Sequence, residues 1–256
     1  MSAAVDDALA AALDELCRRR PLLLASDYDG VLARLRDEPS AAVLEPGFED
    51  LLTRLAAIDG VTVALVSGRG VDDLKKTSGL TGPFRWVGSH GAEFDGPLTG
   101  DLAARRDELV AALTPLVDAV AGARLEVKPA GAAVHVRTVA DRDAARQLLA
   151  DAAAGPGAAD DLTAKPGKDV LELAVTDADK GSALRRLRIE LHAAGVLYLG
   201  DDVTDEDAFV ALGSGDVAVK VGDGETAAGH RVADLTGVRA VLQRVLSALQ
   251  DRSPTS

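Results

Sequence analysis

Cysteine is nearly absent: Cys17 stands alone among 256 residues, so no internal disulfide can form. The four histidines are scattered at positions 90, 135, 192 and 230, and no Cys/His spacing of a zinc site exists. Basic residues are outnumbered, 28 Lys plus Arg against 41 Asp plus Glu, and a net charge of -13 repels a nucleic-acid backbone instead of releasing its counterions. No apolar run reaches the roughly 18 residues of a membrane span. The opening stretch, MSAAVDDALAAALDEL, has Asp6 and Asp7 where a signal peptide carries positive charge. These absences exclude nucleic acid and membrane as partners, and they predict a cytoplasmic protein.

What is present is ordinary globular composition, 47% hydrophobic and 27% charged, too apolar for disorder. The length lies at about the 250 to 300 residues where a single core stops growing, so two unequal domains are expected. Residues 3 to 19 read as an amphipathic helix closed by Arg18, Arg19, Arg20 and Pro21. Short runs apolar on both faces follow at Leu22 to Ala25, Val61 to Val66, Val196 to Leu199 and Val217 to Val219. Helical patterns at Gly47 to Ala57, Gly70 to Ser78, Lys180 to Ala194 and Thr204 to Leu212 separate them. Such alternation predicts an α/β fold, a Rossmann-like doubly wound parallel sheet.

The middle of the chain differs. Residues 101 to 120 and Asp141 to Ala154 read as helices. Arg124 to Lys128 with Ala133 to Thr138 reads as one hairpin around Pro129 and Gly131, and Leu162 to Lys165 with Val170 to Val175 as another, turning through Pro166 and Gly167. The expected organisation is a core of residues 1–100 and 178–256 with an inserted α+β domain at 101–177. A last helix spans Gly237 to Leu249, and the final residues are expected to fray.

Ligands of an open α/β sheet bind beyond the carboxyl ends of its strands, and here several strands end in polar residues. Ser26-Asp27-Tyr28-Asp29-Gly30 follows the first. Asp27 and Asp29, two apart in extended chain, face one place and repel unless a cation such as Mg2+ lies between them; the same residues also read as a plain Asp-Gly turn. Ser67-Gly68-Arg69 ends the second strand, either as a cradle for phosphate oxygens at a helix start or with Ser67 as a helix cap. Lys180, in Asp179-Lys180-Gly181, heads a helix where the dipole disfavours it, so its charge is either solvated or holds two anions together. Gly200-Asp201-Asp202-Val203-Thr204-Asp205-Glu206-Asp207 packs five acids into seven residues. Thr204 with Asp207 reads as a capping box that accounts for the later acids, while Asp201 and Asp202 fit metal binding better.

Taken together and in this order, DYDGVLA, SGR, DKG and GDDVTDEDAF resemble the four motifs of the haloacid dehalogenase superfamily, whose phosphatases work through an aspartyl-phosphate. The resemblance implies that superfamily's core fold with a cap inserted between the second and third motifs. Within it the chain is similar to the trehalose-6-phosphate phosphatase family, through GSHGAEF at 88–94, LEVKPAGAAVHVR at 125–137, GKDVLEL at 167–173 and GDDVTDEDAF. Val31 departs from the Thr that many members carry, without removing a metal ligand or nucleophile.

By that resemblance Asp27 is the nucleophile and Asp29 the general acid and base. Asp27, the Asp29 carbonyl and Asp201 hold Mg2+, with Asp202 or Asp205 in support, while Lys180 and Ser67 bind the phosphoryl group together with Gly68 and Arg69. Glu126, Lys128 and Glu172, joined by His135 and Arg137, are expected on the sugar hydroxyls; each reads equally as a solvated strand residue. The implied partner is a small sugar phosphate, trehalose 6-phosphate, acted on by a monomer. Sucrose 6-phosphate, mannosyl-3-phosphoglycerate, a phosphomutase reaction and an inactive phosphosugar-binding regulator stand as alternatives.

Overall fold

The computed structural model describes residues 5–36 and 38–251. Residues 3 and 4 of the expected first helix, and the expected fraying of the last residues, lie outside them. Contacts divide the chain into two units, one made of Met1–Gly96 and Ala178–Ser256, the other of Pro97–Asp177.

The first unit is built on a seven-stranded sheet of β1 (Leu22–Ser26), β2 (Val61–Val66), β3 (Arg85–Gly88), β4 (Glu93–Phe94), β9 (Gly195–Gly200), β10 (Val217–Val221) and β11 (His230–Val232). Their order is β11-β10-β9-β1-β2-β3-β4, and only the β3/β4 pair is antiparallel. Helices cover both faces, which is why the strands are apolar throughout. Leu22 and Leu24 point to a core shared with α1 (Asp7–Leu16), α2 (Phe48–Ala56), α3 (Val71–Ser78) and α8 (Leu235–Gln250). Leu23 and Ala25 point the other way, to α6 (Lys180–Glu190) and α7 (Glu206–Val210). No helix among the described residues is long and apolar enough to cross a membrane.

The second unit is a four-stranded antiparallel sheet of β5 (Arg124–Lys128), β6 (Gly131–His135), β7 (Thr163–Gly167) and β8 (Val170–Ala174), in the order β5-β6-β8-β7. Ala132, Val134, Leu171 and Leu173 on one face pack against Leu109 and Leu113 of α4 (Gly100–Asp118) and Leu148 of α5 (Arg142–Ala154). Register aligns Glu126, Ala133, Glu172 and Lys165 as one row across the sheet. Alternation turns that row away from the helices and makes the opposite face polar.

Local readings differ from the fold in several places. β6 begins at Gly131, so the first hairpin turns at Pro129 and Ala130. Pro166 and Gly167 lie inside β7, and the second hairpin turns at Lys168 and Asp169, where Asp169 takes φ 60°. β7 is an edge strand, the place in a sheet where proline loses no ladder hydrogen bond. The short strands β3, β4 and β11 carry no periodicity long enough to read.

Candidate active site

Asp27 follows β1 at the centre of the sheet, and its N–H donates to the Leu199 carbonyl of β9 at 2.8 Å. Its carboxylate is buried: Oδ1 accepts the Tyr28 N–H at 2.6 Å and Oδ2 accepts the Lys180 ammonium at 2.6 Å. Lys180 stands in the first turn of α6, which Asp179 and Ser182 cap reciprocally. At 2% exposure it is far from solvated, and its Nζ also donates to Asp205 Oδ1 at 2.7 Å. The charge that the helix dipole disfavours thus joins two carboxylates.

Asp205 is fully buried and carries the architecture of the acidic loop. Its Oδ1 accepts Lys180 and the Tyr198 hydroxyl, and its Oδ2 accepts the N–H groups of Asp201 and Asp202 at 2.8 and 2.9 Å. Those donors fill the lone-pair sites of one carboxylate. Asp202, exposed, turns its own carboxylate back on the Val203 N–H and caps the short turn Val203–Asp205. The capping pair is therefore Asp202 with Asp205, not Thr204 with Asp207: the turn starts two residues earlier than the Thr-x-x-Asp spacing indicates.

Oxygens of Asp27, Asp201 and Asp205 lie within 4.8 Å of one another, the one such group of His, Cys, Asp or Glu among the described residues. Gly30 makes room for it: φ is +76°, and a Cβ there would lie 1.9 Å from Asp201 Oδ2. Burial pushes the Asp27 carboxyl up to about 8, with Asp205 adding to the rise and Lys180 opposing it. Burial and the Asp205 charge push Asp201 up to about 6. For Lys180, burial works against the charged form, but Asp27 and Asp205 outweigh it and raise its pKa. Carboxylates that resist ionisation together, offering hard oxygen donors only, fit a divalent cation.

Asp29 faces elsewhere. Its carboxylate is gripped by Arg69 through two hydrogen bonds, Nε to Oδ2 at 2.7 Å and Nη2 to Oδ1 at 2.8 Å. Arg69 also pairs with Asp73 at 2.9 Å and lies 5.8 Å from the Tyr28 ring centre. Each carboxylate of the Asp-x-Asp pair thus has its own cationic side chain. Ser67 is buried, its Oγ accepts the Arg69 N–H at 3.2 Å, and α3 starts later, capped at Gly70, so Ser67 caps no helix. The His90 ring covers Gly68 so closely that a Cβ would lie 2.6 Å from it.

GSHGAEF braces this loop. Ser89 and His90 both adopt positive φ, at 49° and 57°, and donate their N–H groups to the carbonyls of Arg69 and Ser67. Buried Glu93 accepts from Val71 N–H and Ser89 Oγ at 3.0 and 2.9 Å. Tyr198 and Lys220 carry little signal in the sequence: both sit in apolar strands, and only the polar atom inside V-L-Y-L and V-A-V-K-V marks them. His90 is marked only by its motif.

In the second unit, Lys128 Nζ donates to Glu172 Oε2 at 2.6 Å, and His135 Nε2 lies 2.7 Å from Glu126 Oε2. All four are partly exposed on the polar face. Burial works against the Glu126 charge, but His135 and Lys128 hold its carboxyl below the usual range. Arg137 is exposed in the turn beyond β6, outside that group.

The model of the trehalose-phosphatase family matches residues 25–234. Trehalose-phosphate phosphatase of Mycobacterium marinum is 37% identical over 239 residues, covering 82% of this chain and 59% of its own length. A bifunctional trehalose-6-phosphate synthase/phosphatase of Thermoproteus tenax is 35% identical over 89% of this chain and 32% of its own. The chain therefore spans little more than half, or less, of these relatives. The solved Aspergillus fumigatus trehalose-6-phosphate phosphatase shares the fold, with a TM-score of 0.73, 24% identity and coverage of 97% of this chain and 100% of that one. With its model matched across all four motifs, the chain belongs to the trehalose-phosphatase family.

Proposed function

We propose that the protein hydrolyses trehalose 6-phosphate to trehalose and phosphate, with Asp27 as nucleophile and Mg2+ as cofactor. The observation that carries this reading is the Asp27 carboxylate itself: buried at the centre of the sheet, fixed by Lys180 and the Tyr28 N–H, beside the carboxylate oxygens of Asp201 and Asp205. Family membership supports the substrate.

A carboxylate oxygen of Asp27 attacks phosphorus in line, and the bond from phosphorus to the sugar oxygen breaks. The Asp29 carboxyl protonates the departing oxygen, then takes a proton from the water that attacks the aspartyl-phosphate; phosphate leaves and Asp27 is restored. This requires Asp29 to leave Arg69, and a phosphate dianion is the competing partner for that guanidinium. Lys180, the Ser67 hydroxyl and the Gly68 N–H bind the phosphoryl oxygens and neutralise charge that grows in the transition state.

Asp27, the Asp29 carbonyl and Asp201 would hold the metal, which supplies charge neutralisation and Lewis-acid polarisation of the phosphoryl group. Asp205 supports them from behind, since both its oxygens are committed to Lys180, Tyr198 and main-chain N–H groups, and Asp202 turns its Oδ1 to the Val203 N–H. Glu126, Lys128, His135 and Glu172 recognise the sugar hydroxyls with a mixed set of donors and acceptors.

Free phosphate released from a panel of sugar phosphates by the purified protein tests the proposal. Trehalose 6-phosphate is expected to be the preferred substrate. Preference for sucrose 6-phosphate or mannosyl-3-phosphoglycerate would move the substrate, and binding without turnover would indicate a regulator.

A further inference from the structure

Lys220 is a second buried lysine, and the steps above do not use it. It lies on β10 opposite Gly200 of β9, 5% exposed, and strand alternation turns it to the face opposite Val219 and Val221. Burying an ammonium is costly unless its partners offset the lost hydration. Its Nζ donates to the main-chain carbonyl of Asp201 at 2.5 Å. The nearest carboxylate oxygen, Glu206 Oε1, is 4.0 Å away, beyond hydrogen-bond reach, and has no hydrogen-bond partner of its own.

Asp201 differs from the other two carboxylates of the cluster. Asp27 and Asp205 both hold Lys180, whereas among the described residues no basic side chain pairs with the Asp201 carboxylate. Its direction is set by its main chain, and that main chain is clamped on both sides. The Asp201 N–H is held by Asp205 Oδ2 at 2.8 Å, and its carbonyl is held by Lys220. Two fixed peptide groups define the Cα–Cβ direction, and the space left by Gly30 receives the carboxylate.

We propose that Lys220 is a positioning residue for the divalent cation, acting through the Asp201 carbonyl to keep the Asp201 carboxylate aimed at Asp27 and Asp205. The proposal rests on the metal-dependent reading above but not on the identity of the sugar. Loss of a partner that orients a metal ligand typically weakens metal binding about 10- to 100-fold.

The test is calorimetric titration of Mg2+ alone into metal-free protein, wild type against Lys220→Met, with thermal melts of both in EDTA and in Mg2+. The expected result is a 10- to 100-fold weaker Kd and a smaller Mg2+-induced rise in Tm for the variant. A purely structural lysine would lower both melting temperatures equally and leave the Kd unchanged, which overturns the proposal. Should Lys220→Met not fold, Lys220→Leu, which likewise has no donor, takes its place, and wild-type Mg2+ affinity in that variant overturns the proposal equally. If the wild type binds Mg2+ yet leaves trehalose 6-phosphate intact, the substrate reading fails while the titration still decides the role of Lys220.

Discussion

At Asp27 and Asp201, burial raises both carboxyls, to about 8 and about 6, from ordinary values near 3.8. A carboxyl raised on folding favours the fold while protonated, so this contribution is complete below pH 3.8 and is lost as pH climbs through 6 and 8. A divalent cation reverses the sign, because it binds the ionised forms and displaces their protons. The rise in Tm produced by Mg2+ is therefore expected to grow from pH 5 to pH 8.5; a rise that is flat across that range would contradict the assignment of the cluster. Arg69 gives a second expectation. On the proposed reading its guanidinium exchanges Asp29 for the substrate phosphate, a net gain of the order of one charged hydrogen bond, about 1.5 to 3 kcal/mol. Arg69→Ala should raise KM for the sugar phosphate about 10- to 100-fold, and an unchanged KM would mean that Arg69 serves Asp29 alone.

At the level of elements, legibility followed burial. β1, β2, β9 and β10 were readable because helices cover both faces of the sheet and the strands are apolar end to end. The apolar run at 217–219 stops at Lys220, although β10 continues through it to Val221. The pair Pro166-Gly167 looked like a turn because edge position, which makes proline tolerable, is a property of the assembled sheet. Motif residues are visible as charge without an energetic reason, but that Asp29 holds Arg69 and that Asp205 also takes the Tyr198 hydroxyl depends on strand order. The turn after β1 yields a prediction. Gly30→Ala puts a methyl group against Asp201 at a φ where a left-handed residue costs about 1 to 2 kcal/mol, so Tm should fall and Mg2+ affinity should fall with it. Loss of Tm with intact Mg2+ affinity would show that Gly30 serves the turn alone.

For the whole molecule, the division of labour between the two units is open to a direct check. Glu126→Ala, Lys128→Ala and Glu172→Ala should each lower kcat/KM for trehalose 6-phosphate about 10- to 100-fold, the loss of one charged hydrogen bond, and leave a small aryl phosphate nearly unaffected. Equal losses on both substrates would assign these residues a structural part in the four-stranded sheet. The other assignments converge on Asp27 as the nucleophile. Phosphate release from trehalose 6-phosphate in Mg2+ by Asp27→Asn beside wild type, at matched folded fraction, decides that role. The isosteric amide keeps the shape and removes the nucleophile, so turnover is expected to fall at least about 1000-fold; turnover near the wild-type rate would mean that Asp27 is not the nucleophile.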